Sequence, residues 1–261
     1  MNAPAEPCLR CDGLRVAVAG RTLVENLNFE LASGETLAVL GQNGAGKSLT
    51  MHTLAGLRPA AAGTVHLNDQ AVNERRQYIA RRLALLPQYT EDVFPSTVLD
   101  TALIGRHPHI AHFHWESDQD RRIALQALQQ MDLDQMTSRD VTSLSGGERR
   151  RLAIAQVMTQ TPQVYLLDEP TNHLDPQHQL AVLQVFMHQV RSGAAVVVSL
   201  HDVNLAARFA DRCLLLFGDG RWELNRTAEV LNEDRLSELY NTTMEAIPWR
   251  GRQLFVASSP S

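Results

Sequence analysis

The segment Gly41-Gln42-Asn43-Gly44-Ala45-Gly46-Lys47-Ser48 constrains the fold of this 261-residue chain more than any other part of it. It follows the apolar run Thr36–Leu40 and precedes a stretch with helical spacing. In that context the glycines let successive backbone N–H groups point at a phosphate, and the helix beginning at Lys47 adds its positive end. Lys47 is then placed to reach the β- and γ-phosphates, and the Ser48 hydroxyl to ligate Mg²⁺. The segment predicts a nucleotide-binding loop between a strand and a helix.

A pair of carboxylates, Asp168 and Glu169, ends the apolar run Val164–Leu167. Ligands of an open parallel sheet bind at the carboxyl ends of its strands. We therefore predict that Asp168 holds Mg²⁺, directly or through a water, and that Glu169 is the general base for the attacking water. The alternative is an ordinary acidic turn after a strand.

Short apolar runs separated by helical patterns predict a parallel sheet covered on both faces. These runs are Thr36–Leu40, Leu83–Leu86, Val164–Leu167, Ala195–Leu200 and Cys213–Phe217. Alternating apolar residues predict an antiparallel strand around Leu23–Leu31, and Thr64–Leu67 reads as an edge strand. The expected fold is α/β: a P-loop NTPase core with a parallel sheet and an N-terminal antiparallel β-subdomain.

Helical patterns fill the intervals between these strands. Ser48–Leu57 is predicted to be a helix, Ser117 and Asp120 have capping-box spacing, and Asp175 precedes a helix with Pro176 at its first position. The apolar stripe predicted for that last helix consists of Leu180, Leu183, Met187 and Val190. No strand run occurs between Gln88 and Thr161. We therefore expect one domain over residues 1–261, in which 1–88 and 161–261 form the core and about 89–160 form an inserted helical subdomain.

Charge and hydropathy limit the location and partners of the chain. The net charge of −5 gives no electrostatic reason to expect a nucleic-acid partner. The longest apolar runs fall well short of the roughly 18 residues that span a bilayer. The N-terminal residues do not show a charged region followed by an apolar one. We expect a cytoplasmic protein that reaches a membrane only through a partner.

Cys8 and Cys11 form a C-x-x-C pair, for which metal or redox use is one reading. The pair is isolated, and residues three apart in an extended segment face opposite sides. We therefore favour a structural role for both cysteines, and a core position for Cys213.

Further motifs resemble those of the ATP-binding subunits of ABC transporters. Leu144-Ser145-Gly146-Gly147-Glu148 resembles the family's signature motif. Gln88 resembles the Q-loop glutamine, Leu174-Asp175 the D-loop, and His201 the switch histidine. Together with the phosphate loop they stand in family order over residues 41–201.

The resemblance implies an ATPase that works as a dimer. Ser145, Gly146 and Gly147 begin a helix and form an anion site, which faces away from the phosphate loop of the same chain. In a head-to-tail dimer this turn would hold the γ-phosphate bound by the other copy's Lys47, with Asp175 at the dimer seam.

The remaining implied roles concern the reacting end of the nucleotide. His201 would bind the γ-phosphate and orient Glu169 or the water. Gln88 would touch Mg²⁺ or the water and report the nucleotide state to the helical insertion. ATP and Mg²⁺ are the implied cofactors.

Three residues depart from the family pattern. Leu49 stands where a second hydroxyl residue is usual, and Val18 stands where an aromatic side chain usually stacks on adenine. Glu148 replaces a glutamine; it can still accept a bond from a ribose hydroxyl but adds negative charge. The residues expected to contact nucleotide on their own chain are Gly41, Gln42, Asn43, Gly44, Ala45, Gly46, Lys47, Ser48, Leu49 and Val18.

Weaker similarities in the stretches Thr101–Pro108, Glu116–Arg121 and Asp175–Gln179 resemble the importer ATPases that serve iron–siderophore, haem or cobalamin uptake. They imply a membrane permease, a periplasmic substrate-binding protein and a position on the cytoplasmic face of the cell membrane. The rival hypothesis is a soluble ABC-type mechanical ATPase. Such proteins usually carry tandem domains, coiled-coil insertions or basic tails, and none is visible in this sequence.

Two clusters of charged or titratable residues also have interpretations that require no metal or nucleic-acid site. We expect the permease to dock on Val93–Trp115, which contains His107, His109, His112 and His114. An exposed loop or a permease contact explains these histidines better than a metal site, because no carboxylate or cysteine completes a ligand set. Arg149, Arg150 and Arg151 are predicted to form a solvated or phosphate-facing basic face.

The departures at Val18 and Leu49 predict hydrolysis that discriminates weakly between ATP and GTP. A valine packs on the base without stacking, and leucine offers the α-phosphate only its backbone N–H. Turnover measured on both nucleotides tests this expectation. A preference for ATP of more than about tenfold, or about 1.4 kcal/mol, would contradict it.

Overall fold

The computed structural model describes residues 7–89, 95–111, 114–172 and 174–258. Its N-terminal part contains an antiparallel sheet, as predicted. The strands, in the spatial order β2-β1-β4-β5, are β1 Pro7–Val18, β2 Arg21–Ala32, β4 Ala62–Leu67 and β5 Gln70–Ala71. The prediction that Thr64–Leu67 lies at the edge was wrong, because β4 pairs with β1 on one side and with the two-residue strand β5 on the other.

A second, six-stranded sheet forms the centre of the described part of the chain. Its strands, in the spatial order β10-β9-β3-β8-β7-β6, are β3 Thr36–Leu40, β6 Leu83–Leu86, β7 Val164–Asp168, β8 Ala195–Ser199, β9 Arg212–Leu216 and β10 Trp222–Arg226. The neighbouring pairs from β9 to β6 are parallel, as predicted, whereas β10 joins antiparallel to β9 and was not predicted.

Both faces of this sheet are buried. In β3, Leu37 and Val39 belong to the core shared with the antiparallel sheet, whereas Ala38 and Leu40 belong to the core on the opposite face. Successive side chains of a strand point to opposite faces, so an apolar run without polar alternation needs cover on both. This is why the five runs could be recognised from the sequence.

Helices cover these faces and extend the chain beyond the sheet. They are α1 Lys47–Leu54, α2 Arg76–Ala80, α6 Pro176–Arg191, α7 Val203–Phe209, α8 Thr227–Val230 and α9 Glu233–Tyr240. A hairpin of β11 Met244–Trp249 and β12 Arg252–Ala257 follows. None of the elements after β9 was predicted. No helix in the described ranges is both long and apolar enough to cross a membrane.

Helices and turns also fill the interval between β6 and β7. They are α3 Val98–Leu103, a 3₁₀ segment Ile104–His109, α4 Asp118–Gln130 and α5 Gly146–Thr159. The predicted capping box is present at α4: the Ser117 hydroxyl accepts from the Asp120 N–H, and the Asp120 carboxylate accepts from the Ser117 N–H. The Arg106 guanidinium, 2.7 Å from Asp120, adds to these bonds, and together they lower the pKa of Asp120 to about 2.

Helix α6 begins as predicted but faces the core differently. The Asp175 side chain accepts from the His178 N–H, and Pro176 is the first helical residue. The fully buried residues are Val182, Leu183, Phe186 and Val190. Leu180 and Met187, which we had placed in the stripe, are only half-buried, because the ring of Phe186 packs edge-on against Tyr165 and turns its own side of the helix inward.

The expectation that Cys8 and Cys11 face opposite sides was also wrong. Both thiols lie in the core between the two sheets, where they donate to the carbonyls of Leu31 and Leu27. The pairing of β1 with β2 shifts register between Pro7 and Leu9, and this irregularity breaks the strict alternation. Burial raises the pKa of the Cys11 thiol to about 12, so the thiol stays protonated and unreactive.

Candidate functional site

Four neighbouring parallel strands bring the predicted site residues to one edge of the central sheet. These strands lie in the order β3-β8-β7-β6. The carboxyl end of β3 leads into the loop before Lys47, and that of β8 leads to His201. Strand β7 ends at Asp168, which Glu169 follows, and β6 leads to Gln88. Residues far apart in sequence meet here because parallel strands end at the same edge.

The loop between β3 and α1 has the backbone that its glycines predict. Gly46 precedes the helix with φ +101°, a left-handed conformation, and a Cβ there would lie 3.1 Å from the Leu23 Cβ. A Cβ on Gly41 would lie 2.6 Å from the Leu216 carbonyl oxygen. Any larger residue at Gly41 would therefore push the loop away from β9.

Lys47 is buried inside this loop. Its Nζ donates to the carbonyl oxygens of Gly41 at 2.9 Å and Gln42 at 3.3 Å, and lies 4.0 Å from a carboxylate oxygen of Glu169. Burial lowers the pKa of the ammonium, and the charges of Glu169 and Asp168 oppose that shift. The loop carbonyls hold the ammonium where a phosphate oxygen can take their place.

Glu169 lies at the centre of the site and is only 4% exposed. Its Oε1 is 2.6 Å from His201 Nε2, and its Oε2 accepts at 2.6 Å from Gln88 Nε2. The Asn172 amide donates to the same Oε2. Because a carboxylate only accepts, the His201 Nε2 must carry the proton of its bond. The backbone of Glu169 is left-handed, with φ +49°, which turns the side chain toward these partners.

Asp168 is completely buried beside Glu169. Its Oδ1 accepts from the Ser199 hydroxyl at 2.6 Å, and the same hydroxyl accepts from the Glu169 N–H at 2.9 Å. The other oxygen, Oδ2, is buried without a hydrogen-bond partner among the described residues. A buried carboxylate oxygen without a partner is costly, and it fits a site that binds a cation.

The turn at Ser145 is closed on itself and open to solvent. The Ser145 hydroxyl accepts from the Glu148 N–H, and the Glu148 carboxylate accepts at 2.7 Å from the Ser145 N–H, which completes a capping box at the start of α5. These bonds lower the pKa of Glu148. Ser145 and Gly146 are exposed, and no hydrogen bond or ion pair among the described residues joins this turn to Lys47, Asp168 or Glu169.

The remaining predicted residues lie apart from this centre. Val18 is 39% exposed at the end of β1, and Leu49 packs against the core between the two sheets. Asp175 is exposed at the start of α6, where its second oxygen lies 2.8 Å from His178 Nδ1. His109 bonds to the Gln160 carbonyl, and His114 is exposed. His112, with residues 93, 94 and 113 of the expected docking segment, lies outside the described residues.

The prediction of a solvated or phosphate-facing basic face over Arg149–Arg151 was wrong for Arg150. Arg150 is 5% exposed, and burial lowers its pKa to about 10 against the opposing charges of Asp168 and Glu169. Within the part of the chain that the structure describes, its guanidinium donates only to backbone carbonyls. The donor–oxygen distances are 2.7 Å to Pro87, 3.2 Å to Gln88, 2.7 Å to Asp168, 2.8 Å to Glu169 and 3.4 Å to Pro170.

The sequence carried signals for the residues we missed. Arg150 precedes the buried residues Ile154 and Val157 by four and seven positions, so it shares their face of α5. Ser199 is the one hydroxyl in the apolar run Ala195–Leu200, and parallel pairing places it opposite Asp168. For Asn172 the sequence offered only its proximity to Glu169.

A family model described as ABC transporter matches residues 24–172, more than half of the chain. The chain belongs to the ABC transporter family. Two relatives named hemin import ATP-binding protein HmuV support this membership. The one from Streptomyces coelicolor is 38% identical over 94% of this chain and 88% of its own length. The one from Pseudomonas aeruginosa is 39% identical over 95% of this chain and 99% of its own.

Two further comparisons support the same family and the same fold for this ABC transporter ATPase. The achromobactin transport ATP-binding protein CbrD of Dickeya dadantii is 34% identical over 90% of this chain and 88% of its own length. A solved structure of a metal-chelate type ABC transporter in an inward-facing conformation superposes with a TM-score of 0.84. It shares 29% identity and covers 97% of this chain and 98% of that one.

The bonds of Ser199 predict that Ser199→Ala will lower the free energy of unfolding by about 1–3 kcal/mol, because the buried Glu169 N–H loses its acceptor. Urea unfolding without nucleotide measures the effect. Ser192→Ala is the matched control: this hydroxyl lies at the exposed end of α6 and donates to the His188 carbonyl. Its loss should cost less than about 0.5 kcal/mol. Equal unfolding free energies for the two variants would contradict the role given to Ser199.

Proposed function

We propose that this chain is the ATP-hydrolysing motor subunit of an ABC importer for a metal chelate, an iron–siderophore, haem or cobalamin. The observation that carries the proposal is the convergence of Lys47, Gln88 and His201 on the carboxylate of Glu169. Glu169 as the general base, the Lys47 ammonium for binding phosphate and His201 for orienting the base thus lie within reach of one another.

Glu169 acts as the general base that takes a proton from the attacking water. His201 donates to Glu169 Oε1 and keeps that oxygen turned toward the reacting phosphate. Lys47 exchanges its bonds to Gly41 and Gln42 for the β- and γ-phosphate oxygens, which places the nucleotide next to the base.

Ser48, Gln88 and Asp168 are the proposed Mg²⁺ ligands. The unpartnered Oδ2 of Asp168 supports this set, and Ser199 holds the other oxygen so that Oδ2 keeps its direction. A Mg²⁺ ion held by these residues would supply electrostatic stabilisation of the negative charge that develops on the phosphates. Gln88 bonds to Glu169 here, so it would exchange that partner on binding the ion or the water.

The nucleotide site is completed by a second copy of the chain. The turn formed by Ser145, Gly146, Gly147 and Glu148 supports this step, because Ser145 and Gly146 are exposed at the N-terminus of α5, where backbone N–H groups and the helix dipole favour an anion. In a head-to-tail dimer the turn would hold the γ-phosphate bound to the other copy, with Asp175 at the seam. The adenosine end lies against the loop Gly41–Leu49 and Val18.

The transport role rests on the relatives, which are named as import or transport ATP-binding proteins for hemin and achromobactin. We propose that permease subunits dock on the segment Val93–Trp115 of the helical subdomain. Exposed apolar side chains in and beside this segment support the surface: Ile104 is 43% and Trp115 89% exposed, and Tyr89, which precedes the segment, is 71% exposed. The chain would then lie at the cytoplasmic face of the cell membrane and receive its signal, through the permease, from a periplasmic binding protein.

Glu169→Gln should trap an ATP-bound dimer. The amide cannot accept the proton of the attacking water, so the nucleotide between the two copies is not consumed. Gel filtration in Mg-ATP measures this, with Glu74→Gln as the control, since Glu74 is exposed and its carboxylate accepts only from the Gln70 amide among the described residues. Elution of the Glu169 variant as a monomer at saturating ATP would count against the shared site.

The tagged chain should co-purify from detergent-solubilised native membranes with a polytopic membrane protein, identified by mass spectrometry. Trp115→Ala should reduce the recovered partner severalfold, because a large exposed side chain at such a surface contributes about 2 kcal/mol or more. Leu57→Ala is the control, since Leu57 is 70% exposed at the end of α1. Recovery of soluble partners alone would favour the mechanical ATPase instead.

A further inference from the structure

Arg150 uses its whole hydrogen-bonding capacity on the backbone of the site. A guanidinium has five N–H groups. Each of them has one carbonyl acceptor here. Two acceptors, Pro87 and Gln88, follow β6, and the other three are Asp168, the last residue of β7, and Glu169 and Pro170 after it. The side chain thus fixes the spacing between two loops that carry separate parts of the machinery.

This arrangement differs from a buried salt bridge. The partners are carbonyl oxygens, and no carboxylate lies within ion-pair distance of Arg150 in the described parts of the chain. Burying a charge is costly, and here five bonds to backbone carbonyls and the nearby charges of Asp168 and Glu169 offset that cost. An apolar side chain of similar volume would leave the five carbonyls without this donor. The geometry therefore points to a role in holding the two loops rather than in stability alone.

The side chain also ties these loops to α5. Ser145, the N-cap of α5, is five residues before Arg150, or about 7.5 Å along the helix at about 1.5 Å per residue. A helix is stiff over this length, so a displacement of the turn at Ser145 moves Arg150 with it. The carbonyls of Gln88 and Glu169 then follow, since both accept from the same guanidinium.

We propose that Arg150 is a positioning residue that couples the two nucleotide sites of the dimer. The inference rests on the function proposed above. The turn at Ser145 acts on the nucleotide of the other copy, whereas Gln88 and Glu169 act on the nucleotide of their own chain. Arg150 links the turn at Ser145 to Gln88 and Glu169. The Glu169 carboxylate is therefore aligned only when the turn at Ser145 contacts the nucleotide of the other copy.

Arg150→Gln and Arg150→Lys test the proposal against Arg151→Gln. Glutamine has two donors, and lysine has three that radiate from a single nitrogen, so neither spans five carbonyls. Arg151 is the next residue of the same helix, and its guanidinium donates to the Met131 carbonyl at 2.8 Å, away from the site. The control therefore removes the same charge without touching the two loops.

Three quantities are measured for each variant, per folded molecule: kcat at saturating Mg-ATP, the affinity for ADP without Mg²⁺, and the ATP concentration giving half-maximal dimer in the Glu169→Gln background. Both Arg150 variants should lose on the order of 10–100-fold in kcat, because misplacing a catalytic group by about 1 Å costs that much. Their dimer midpoint should rise roughly fivefold or more, the lower end of usual coupling factors. The affinity for ADP without Mg²⁺ should stay within about twofold, since the phosphate loop is intact.

Arg150 variants that match Arg151→Gln in kcat and in dimer midpoint would overturn the proposal. A loss of affinity for ADP without Mg²⁺ that parallels the loss of kcat would also overturn it, because the residue would then act on the phosphate loop. If Arg150→Gln does not fold, the same criteria apply to Arg150→Lys, which retains the charge and the stem. Absence of hydrolysis in the unmodified chain would instead overturn the proposed function, whatever the Arg150 variants do.

Discussion

Parallel pairing between β7 and β8 is the constraint on which the rest of the site depends. It sets Asp168 opposite Ser199, and the Ser199 hydroxyl then binds both the Asp168 carboxylate and the Glu169 N–H. With β3 on one side and β6 on the other, the same edge receives the phosphate loop and Gln88. The proposed chemistry needs a cation site, a base and a phosphate-binding loop close together. No single stretch of chain supplies all three, so the strand order is what brings them to one edge.

The hydrogen bonds of Glu169 define the state of the site in this structure. Its two oxygens are occupied by His201, Gln88 and Asn172, and Lys47 is occupied by carbonyls of its own loop. When a nucleotide binds, Lys47 and the groups around Glu169 therefore exchange hydrogen-bond partners, because they have already formed bonds within the chain. Because partners are exchanged, the position of the Glu169 carboxylate depends on groups outside the phosphate loop. Arg150 connects the loops that carry Gln88 and Glu169 to α5.

Most of the fold could be predicted from the sequence, because the strongest local patterns agree with the final packing. Runs buried on both faces, such as Thr36–Leu40, have no polar alternation, and side-chain chemistry specifies the capping box at Ser117 and the N-cap at Asp175. Predictions failed where tertiary contacts decide. Phe186 sets the buried face of α6 by packing on Tyr165, and a register shift in β1 turns Cys8 and Cys11 to the same core. The residues of the phosphate loop and of Asp168–Glu169 were predictable from spacing. Arg150 was missed because a charged side chain suggests solvent, and its acceptors are backbone atoms that a sequence pattern does not specify.

The dependence of Arg150 on backbone acceptors also limits how this protein can diverge. Replacing the side chain of Pro87, Gln88 or Pro170 leaves each carbonyl in place, so point changes there preserve the contact with Arg150. Inserting or deleting one residue in either loop shifts the carbonyls along the chain and breaks several bonds at once. Surface loops usually tolerate changes of length better than their neighbouring strands do. The two loops held by Arg150 should show the reverse. Apart from Gln88, Asp168 and Glu169, their residues should be replaceable, whereas changes in loop length should be poorly tolerated.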